Sequence, residues 1–176
     1  RRRFLRNSFL SAAALSLPVR SWSQVQGANT DLRVAVVGSN SQGRSHIEGF
    51  RNMPGVRVVA LCDADQTVLD REAAKFHKRG EKITKYTDVR KLLDDDNIDI
   101  VTTATPNHWH ALIAIWACQA GKDVYVEKPV SHNVWEGRQI VRAARKYERI
   151  VQTGTQSRSA SGVREGIEFL RTGNLG

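Results

Sequence analysis

The chain has 176 residues, enough for one well-cored domain and too few for two ordinary ones. Its formal net charge is +9, yet five of the 27 Lys and Arg residues precede residue 24, where no acidic residue occurs. The remaining 22 basic and 18 acidic residues leave a net charge of +4, spread over amphipathic segments without a basic stripe. This distribution argues against a nucleic-acid-binding protein, and no apolar run approaches the roughly 18–20 residues of a membrane span.

The first residues predict an export leader. Residues 1–6 read R-R-R-F-L-R, which matches the twin-arginine pattern R-R-x-F-L-K with one conservative change, and a weakly apolar stretch runs from Phe9 to Leu17. We assign residues 1–30 to a twin-arginine signal peptide and linker. The protein is then expected to be periplasmic or otherwise exported, with the twin-arginine translocase as a partner and no stable membrane anchor. A basic N-terminal tail on a cytoplasmic protein is the alternative interpretation.

From residue 31 onward, short β-rich runs alternate with helical stretches. The predicted strands are Arg33–Gly38, Val56–Cys62, Ile98–Ala104, Val124–Val126 and Ile150–Thr153, with a weaker one at Ile83–Tyr86. The first is a short apolar run closed by a glycine, which is typical of a parallel strand buried on both faces. Strands that alternate with helices imply right-handed βαβ crossovers, so we predict an α/β fold with a doubly wound parallel sheet.

Helical periodicity is clearest in two segments. Apolar residues recur at helical spacing from Trp109 to Ala120, and Gly121 follows as the C-terminal cap. A similar stripe runs from Val134 to Tyr147 behind Ser131, which we predict to be the N-cap. A last helix is predicted from Ser159 toward the end of the chain. Three tryptophans are predicted to pack in the core or in the layer beside it: Trp109, Trp116 and Trp135.

The cysteines and histidines do not form a metal-site pattern. Cys62 and Cys118 lack C-x-x-C spacing and lie in apolar contexts, which favours buried free thiols over a disulfide. His108 and His110 are two residues apart and therefore point to different sides of any helix. We predict no bound metal.

The turn after the first strand reads G-S-N-S-Q-G from Gly38 to Gly43. In a dinucleotide-binding turn, three glycines provide a tight bend, close approach of a pyrophosphate and close contact between helix and strand. Gly38 and Gly43 occupy the first and third positions, but Asn40 occupies the second. Asparagine tolerates a positive φ, so we expect the bend to survive, although the side chain obstructs a phosphate unless it donates a hydrogen bond. An ordinary strand-turn-helix connection is the alternative.

Acidic residues follow the second predicted strand. Asp63 closes that strand twenty residues after Gly43, where an acidic side chain accepts hydrogen bonds from the adenosine ribose. Asp65 stands two residues further on, and paired acids would repel the 2′-phosphate of NADP. Together with the turn, they predict a Rossmann-type NAD(P)-binding domain over residues 31–155, with NAD favoured over NADP. A surface acid without a function is the alternative for Asp63 taken alone.

Polar residues also follow two other strands. Thr105 and Asn107 come after the third long strand, which neighbours the first in the strand order 3-2-1-4-5-6, and ligands bind where that order reverses. Asn107 could also serve as a helix N-cap. Lys128 follows the next strand and could stabilise a developing alkoxide on a substrate, with Glu127 orienting its ammonium. A structural ion pair between these two residues is the alternative.

These residues resemble those of a known group of enzymes, the glucose–fructose oxidoreductase, inositol dehydrogenase and rhizopine-catabolism (Gfo/Idh/MocA) family. The resemblance runs from about Arg33 to Gly176. Its most specific motifs are T-P-N-H-W-H-A-L from Thr105, E-K-P from Glu127 and G-T-Q-S-R from Gly154. It implies NAD(P)-dependent oxidation or reduction of a sugar, polyol or sugar derivative.

The resemblance also assigns roles to individual residues. It implies that Lys128 is the active-site lysine near the nicotinamide, with Gln156 and Arg158 at the substrate edge. The residues implied to line the cofactor site are Gly38, Asn40, Gln42, Gly43, Asp63, Thr105, Asn107 and Glu127.

The remaining catalytic groups of the family lie in a second α/β domain with a mainly antiparallel sheet. We expect this substrate domain to be missing from this chain, with residues 156–176 forming a connecting helix and its truncated start. The chain alone is then expected to bind nucleotide poorly and to be inactive. The full-length protein is expected to be a homo-oligomer that takes a small-molecule sugar or polyol substrate.

Two alternative functions share this fold. One is an NAD-dependent glycoside hydrolase that holds NAD tightly through a transient redox cycle. Members of that type often lack the lysine of E-K-P, so Lys128 argues against it. The other is a redox-dead sugar-binding relative, in which Lys128→Ala would leave the biological effect of the full-length protein unchanged.

Overall fold

The computed structural model describes residues 31–173, so the predicted signal peptide lies outside the described residues. The strands are β1 (Leu32–Val37), β2 (Val56–Cys62), β3 (Thr84–Tyr86), β4 (Ile100–Thr103), β5 (Asp123–Glu127) and β6 (Val151–Gly154). They form one parallel sheet in the order β3-β2-β1-β4-β5-β6. The predicted fold class, the doubly wound sheet and the strand order are confirmed.

Different helices cover the two faces of the sheet. The helices are α1 (Gln42–Arg51), α2 (Gln66–His77), α3 (Val89–Leu93), α4 (Asn107–Gln119), α5 (Val134–Lys146) and α6 (Ser161–Arg171), with a 3-10 turn at Gln156–Ser159. In β1, Val36 points to the side of α1 and α2, where it packs in a cluster with Ile47 and Phe76. Ala35 and Val37 point the other way, into a larger cluster with α3, α4 and α5. The apolar run of β1 therefore reflects burial on both faces.

Three helices begin at side chains that cap them. Asp65 at α2, Asp88 at α3 and Asn133 at α5 accept hydrogen bonds from backbone N–H groups of the first turn. The predicted N-cap at Ser131 is wrong, because its hydroxyl lies two residues before the cap and donates to the carbonyl oxygen of Asn133. Helices α2 and α3 were not predicted from the sequence.

Charged side chains hold the amino-terminal edge of the sheet. The Arg33 guanidinium donates to both carboxylate oxygens of Asp99, at 2.8 and 2.6 Å. Lys122 is only 4% exposed, and its ammonium donates to the carbonyl oxygens of Asp95 and Ile98. Burial lowers the pKa of this lysine. These contacts fix β1, β4 and β5 at the edge opposite the strand carboxyl ends, where the polar motifs of the sequence lie.

Two of the three tryptophans do not pack as predicted. Trp116 packs against the core, but Trp109 is 40% exposed and Trp135 is 69% exposed. Both exposed tryptophans lie in the first turn of a helix. The last helix begins at Ser161 rather than Ser159, because a 3-10 turn precedes it, and none of its residues is buried.

Two predictions for individual residues are confirmed. Cys62 and Cys118 are buried free thiols, and burial raises the pKa of Cys62 to about 12. His110 is buried while His108 is exposed, so they point to different sides of α4. Within residues 31–173, no three His, Cys, Asp or Glu side chains are grouped so as to hold a metal ion. None of the helices in this described part is both long and apolar enough to cross a membrane.

Candidate functional site

The carboxyl ends of the central strands border a cavity of about 780 Å³. It lies where the strand order reverses between β1 and β4, the position at which doubly wound sheets bind ligands. Gly38 after β1, Asp63 after β2 and Thr105 after β4 all line it. Its apolar wall includes Val37, Ala64, Val89, Pro106, Trp109 and Ile113. Three of the predicted cofactor-binding segments therefore meet at one cavity.

Two glycines bring the turns after β1 and β4 together. Gly38 has a φ of +82°, and a Cβ atom there would lie 3.0 Å from backbone atoms of Ala104 and Thr105. At Gly43 a Cβ atom would lie 1.8 Å from the carbonyl oxygen of Gly38. The first turn of α1 therefore packs directly on the bend. Both the tight bend and the close helix contact that the sequence predicts are present.

The positive φ predicted for Asn40 falls on the following residue. Ser41 adopts a φ of 41°, and Asn40 is not among the residues with a positive φ. The Asn40 side chain is instead held from outside the turn. Its Oδ1 atom accepts hydrogen bonds from Nη2 of Arg44 at 2.9 Å and of Arg71 at 3.2 Å. The bend therefore does not depend on the backbone tolerance of asparagine.

The turn presents backbone donors to the cavity. Asn40, Ser41 and Gln42 line it, and their N–H groups make no hydrogen bond to any residue between 31 and 173. The first N–H groups of a helix have no intrahelical acceptor and lie at the positive end of the helix dipole. Such groups bind phosphates. The donor set of this turn fits the pyrophosphate of a dinucleotide.

Asp63 lies beside the same turn. Its Oδ2 accepts from the N–H of Ser39 at 2.7 Å and its Oδ1 from the N–H of Asp65 at 3.1 Å. Each oxygen keeps a second lone pair, so the carboxylate has room to accept further hydrogen bonds, and its contact with the ribose hydroxyls stays a prediction. The carboxylate of Asp65 caps α2 and does not line the cavity. Discrimination against NADP by this pair of acids stays a prediction.

The turn after β4 contributes one of its two predicted polar residues to the cavity. Thr105 lines it, and the Thr105 and Thr103 hydroxyl oxygens are 2.9 Å apart in a hydrogen bond. Asn107 is the first residue of α4 and lies outside the cavity lining. The N-cap position belongs to Pro106, whose extended backbone ends just where the helix begins. The interpretation of Asn107 as the N-cap is therefore wrong by one residue.

His110 joins this turn to the one after β5. It is 2% exposed, with Nδ1 lying 2.7 Å from the carbonyl oxygen of Pro129 and Nε2 lying 2.8 Å from that of Thr105. A carbonyl oxygen can only accept, so the ring nitrogen that carries the proton donates to one of these two carbonyls, and the ring packs against the other. The ring thus ties the cofactor-side turn to the residue that follows Lys128.

Glu127 is the centre of a buried polar network. Its carboxylate is 4% exposed, and Oε1 accepts from the amide of Gln42, Nε2 of His46 and the amide of Gln156, each at 3.0 Å. Oε2 accepts from the backbone N–H of Lys128, also at 3.0 Å. Burial acts to raise the pKa of this carboxyl group, but the hydrogen bonds from His46 and from the Lys128 N–H outweigh it. They hold the pKa below its usual range.

The network fixes the backbone of Lys128 rather than its ammonium. The predicted orientation of the ammonium by Glu127 is wrong, because the carboxylate is already engaged by four other donors. The Lys128 side chain is exposed, and its ammonium makes no hydrogen bond or ion pair within the described part of the chain. The alternative of a Glu127–Lys128 ion pair is not observed either. Gly154 makes room for the network, since a Cβ atom there would lie 3.1 Å from Oε1 of Glu127.

His46 is a site residue that the sequence reasoning missed. It is 7% exposed, packs edge-on against Phe50 and Tyr125, and places Nδ1 2.7 Å from the Thr102 hydroxyl. The ionised Glu127 accepts at Nε2, so that nitrogen carries a proton and Nδ1 faces Thr102. The available indication was spacing, because His46 follows Gln42 by one helical turn and shares its side of α1.

A doubly wound sheet, a glycine turn at a helix start and an acid after β2 define a dinucleotide-binding Rossmann domain. Residues 32–155 match the model of the oxidoreductase family with an NAD-binding Rossmann fold. The chain therefore belongs to the Gfo/Idh/MocA family, as its motifs predict, and NAD is the cofactor of this domain.

Three known proteins illustrate the similarity. A glycosyl hydrolase family 109 protein of Shewanella putrefaciens is 40% identical over 123 residues, which are 67% of this chain and 27% of the relative. An α-N-acetylgalactosaminidase of Shewanella oneidensis is 37% identical over the same shares. Myo-inositol 2-dehydrogenase from Lactobacillus plantarum has a TM-score of 0.73 and 27% identity, with 83% of this chain and 42% of that one covered. The chain thus spans about a quarter of the length of the curated relatives it matches.

Proposed function

We propose that the full-length protein is an NAD-dependent oxidoreductase that acts on a sugar, polyol or sugar derivative by hydride transfer. The observation that supports this most is the side chain of Lys128. It follows β5 at the same sheet edge as the cavity, and its ammonium has no partner among residues 31–173. Its backbone is fixed by the buried carboxylate of Glu127. A lysine whose backbone is held in place, and whose ammonium has no partner in the described part of the chain, is suited to bind the reacting oxygen of a substrate.

In this proposal, one group of site residues binds the cofactor and another binds the substrate hydroxyl or holds the residue that does. The N–H groups of the turn from Asn40 to Gln42 would hold the pyrophosphate, and Asp63 would accept ribose hydroxyls. When bound, NAD supplies the hydride acceptor or donor. Lys128 would hydrogen-bond the substrate hydroxyl and stabilise the negative charge that develops on its oxygen. His110 and Glu127 keep the Lys128 segment in place from its two sides.

NAD-dependent glycoside hydrolysis is the second candidate, because two relatives at 37–40% identity have glycosidase names. Those matches cover the cofactor domain, and a shared cofactor domain does not decide the reaction. Lys128 separates the candidates on chemical grounds. A sugar dehydrogenase needs a group at this position that hydrogen-bonds the substrate hydroxyl and stabilises the charge that develops on its oxygen. Glycosidases of this type often lack the lysine of E-K-P.

Two assays on the full-length protein test the proposal. Free sugars and polyols are screened for NADH formation, and aryl glycosides are screened for release of the aryl group. We expect NADH formation with a free sugar or polyol, and we expect Lys128→Met to lower turnover by at least about 100-fold with little change in NAD affinity. Lys78→Met, at an exposed lysine after α2, is the matched control. Glycoside cleavage without net NADH formation would refute the oxidoreductase proposal in favour of the second candidate.

Export by the twin-arginine route is also part of the proposal, supported by the R-R-R-F-L-R sequence of residues 1–6. Replacing Arg1 and Arg2 by lysine in the full-length protein should retain it in the cytoplasm. Cell fractionation with an antibody against the protein measures the distribution. The same distribution for the wild-type protein and the variant would contradict this route.

A further inference from the structure

A network of charged side chains lies beside the glycine turn. Glu72 is 2% exposed and accepts hydrogen bonds from Nε of Arg44 at 2.9 Å and Nε of Arg71 at 3.0 Å, and it also pairs with Lys75. With Nε held by Glu72, each guanidinium extends Nη2 to the same atom of Asn40, at 2.9 and 3.2 Å. Helix α2 is thus connected to the turn directly through Arg71, and through Arg44 of α1 by way of the buried Glu72 carboxylate.

This network determines the orientation of the Asn40 side-chain amide. A guanidinium can only donate, so the atom that Arg44 and Arg71 share must be the amide oxygen. The amide nitrogen has no hydrogen-bond partner among residues 31–173. Asn40 lines the cavity, whereas Arg44, Arg71 and Glu72 do not. The oxygen is therefore held by residues outside the cavity lining, and the NH₂ group remains available to donate to a ligand.

We propose that Arg44 and Arg71 are positioning residues that hold Asn40 so that its NH₂ group donates to the pyrophosphate of bound NAD. The proposal rests on the dinucleotide site described above. The second position of such a turn is ordinarily glycine, because a side chain there obstructs the phosphate. Here the side chain compensates by offering a donor beside the N–H groups of Ser41 and Gln42, which have no acceptor among residues 31–173. Glu72 offsets one of the three positive charges that surround it, and charge-preserving substitutions separate the orienting role of the two arginines from simple attraction.

Asn40→Asp tests the donor directly, because aspartate keeps the shape and both arginine contacts but replaces NH₂ with an anionic oxygen. In the full-length protein, we expect calorimetry to show ADP binding weakened at least about tenfold. The affinity for adenosine, which lacks phosphates, should change less than about twofold, and the melting temperature of the variant should not fall. Asn97→Asp is the matched control, since Asn97 also accepts from an arginine, Arg33 at 3.0 Å, and lies outside the cavity. Unchanged ADP binding, or an equal loss for adenosine, would overturn the proposal.

The positioning role of the arginines is tested by a double-mutant cycle. Arg44→Lys with Arg71→Lys keeps both charges but loses the planar group that reaches Glu72 and Asn40 at once. We expect this pair of changes to weaken ADP binding about fivefold or more in the native background, and less than about twofold when Asn40 is replaced by Leu. Equal losses in both backgrounds would overturn the positioning role. If the wild-type protein bound neither NAD nor ADP, the dinucleotide site itself would be refuted. The variant results above would refute only the roles of Asn40 and the two arginines.

Discussion

Gly43 is a position at which adding a single methyl group should affect both the stability of the fold and cofactor binding. A Cβ atom there would lie 1.8 Å from the carbonyl oxygen of Gly38, so the backbone of α1 and the bend must move apart by at least about 1.2 Å to reach even a 3.0 Å contact. Overpacking against a backbone atom costs about 3 kcal/mol. Gly49 lies in the same helix with nothing within 4 Å of its Cβ position, so Gly49→Ala should instead stabilise by about 0.5–1 kcal/mol.

The two alanine variants should therefore differ by about 3–4 kcal/mol in the free energy of unfolding, or roughly 10 °C in melting temperature. Scanning calorimetry of the full-length protein measures the difference, and titration with NAD measures the second consequence. Because the phosphate donors lie on the displaced turn, Gly43→Ala should weaken NAD binding by at least about tenfold, while Gly49→Ala should leave it unchanged. If Gly43→Ala were as stable as Gly49→Ala and bound NAD normally, the close packing inferred at this bend would be refuted.

Three further predictions concern buried groups. Glu127→Gln should lower the free energy of unfolding by about 2–3 kcal/mol at neutral pH. Urea titrations should show the difference in unfolding free energy between wild type and variant becoming smaller as the pH falls below about 4.3. A carboxyl group with a lowered pKa stabilises the fold only while ionised, so a difference that is constant with pH would contradict its role. His110→Phe should lower the free energy of unfolding in urea by about 2 kcal/mol, since a partly buried carbonyl oxygen loses its donor, and no change would contradict the role of His110 in joining the two turns. Cys62, with a pKa of about 12, should resist iodoacetamide at about pH 8 until the protein unfolds, and mass spectrometry would reveal any earlier alkylation.

The sheet could be predicted because its strands are buried on both faces and end in recognisable turns. The apolar run closed by Gly38 and the acid at Asp63 mark the carboxyl ends of β1 and β2 without any tertiary information. Helix α3 could not be found this way, since five residues are too few to show a period. Helix α2 did carry a usable pattern, because Asp65, a favourable N-cap residue, stands three residues before Val68 and the other buried apolar residues of that helix.

The side-chain contacts of the site could not be predicted to the same degree. Sequence position placed Glu127 and Lys128 at the correct sheet edge, but not the atoms that Glu127 contacts. Those contacts join residues up to 85 positions apart and depend on side-chain rotamers. Asn40 shows the same limit, because its residue type suggested a backbone role while its contacts with Arg44 and Arg71 give it a side-chain role. Local propensity describes the chain well only where the neighbours in space are also neighbours in sequence.

Both buried carboxylates of the site act on the first turns of α1. Glu127 binds Gln42 and His46 from the β5 side, and Glu72 binds Arg44 from the α2 side. Hydrogen bonds to an ionised group are roughly twice as strong as neutral ones, so α1 is held firmly on both flanks just where its N–H groups face the cavity. Because Glu127 also accepts from the backbone N–H of Lys128, one carboxylate joins α1 to the segment that carries the proposed substrate-binding lysine. In the proposed site, the turn for the cofactor and the segment of the lysine would therefore be held by one hydrogen-bond network rather than by two independent loops.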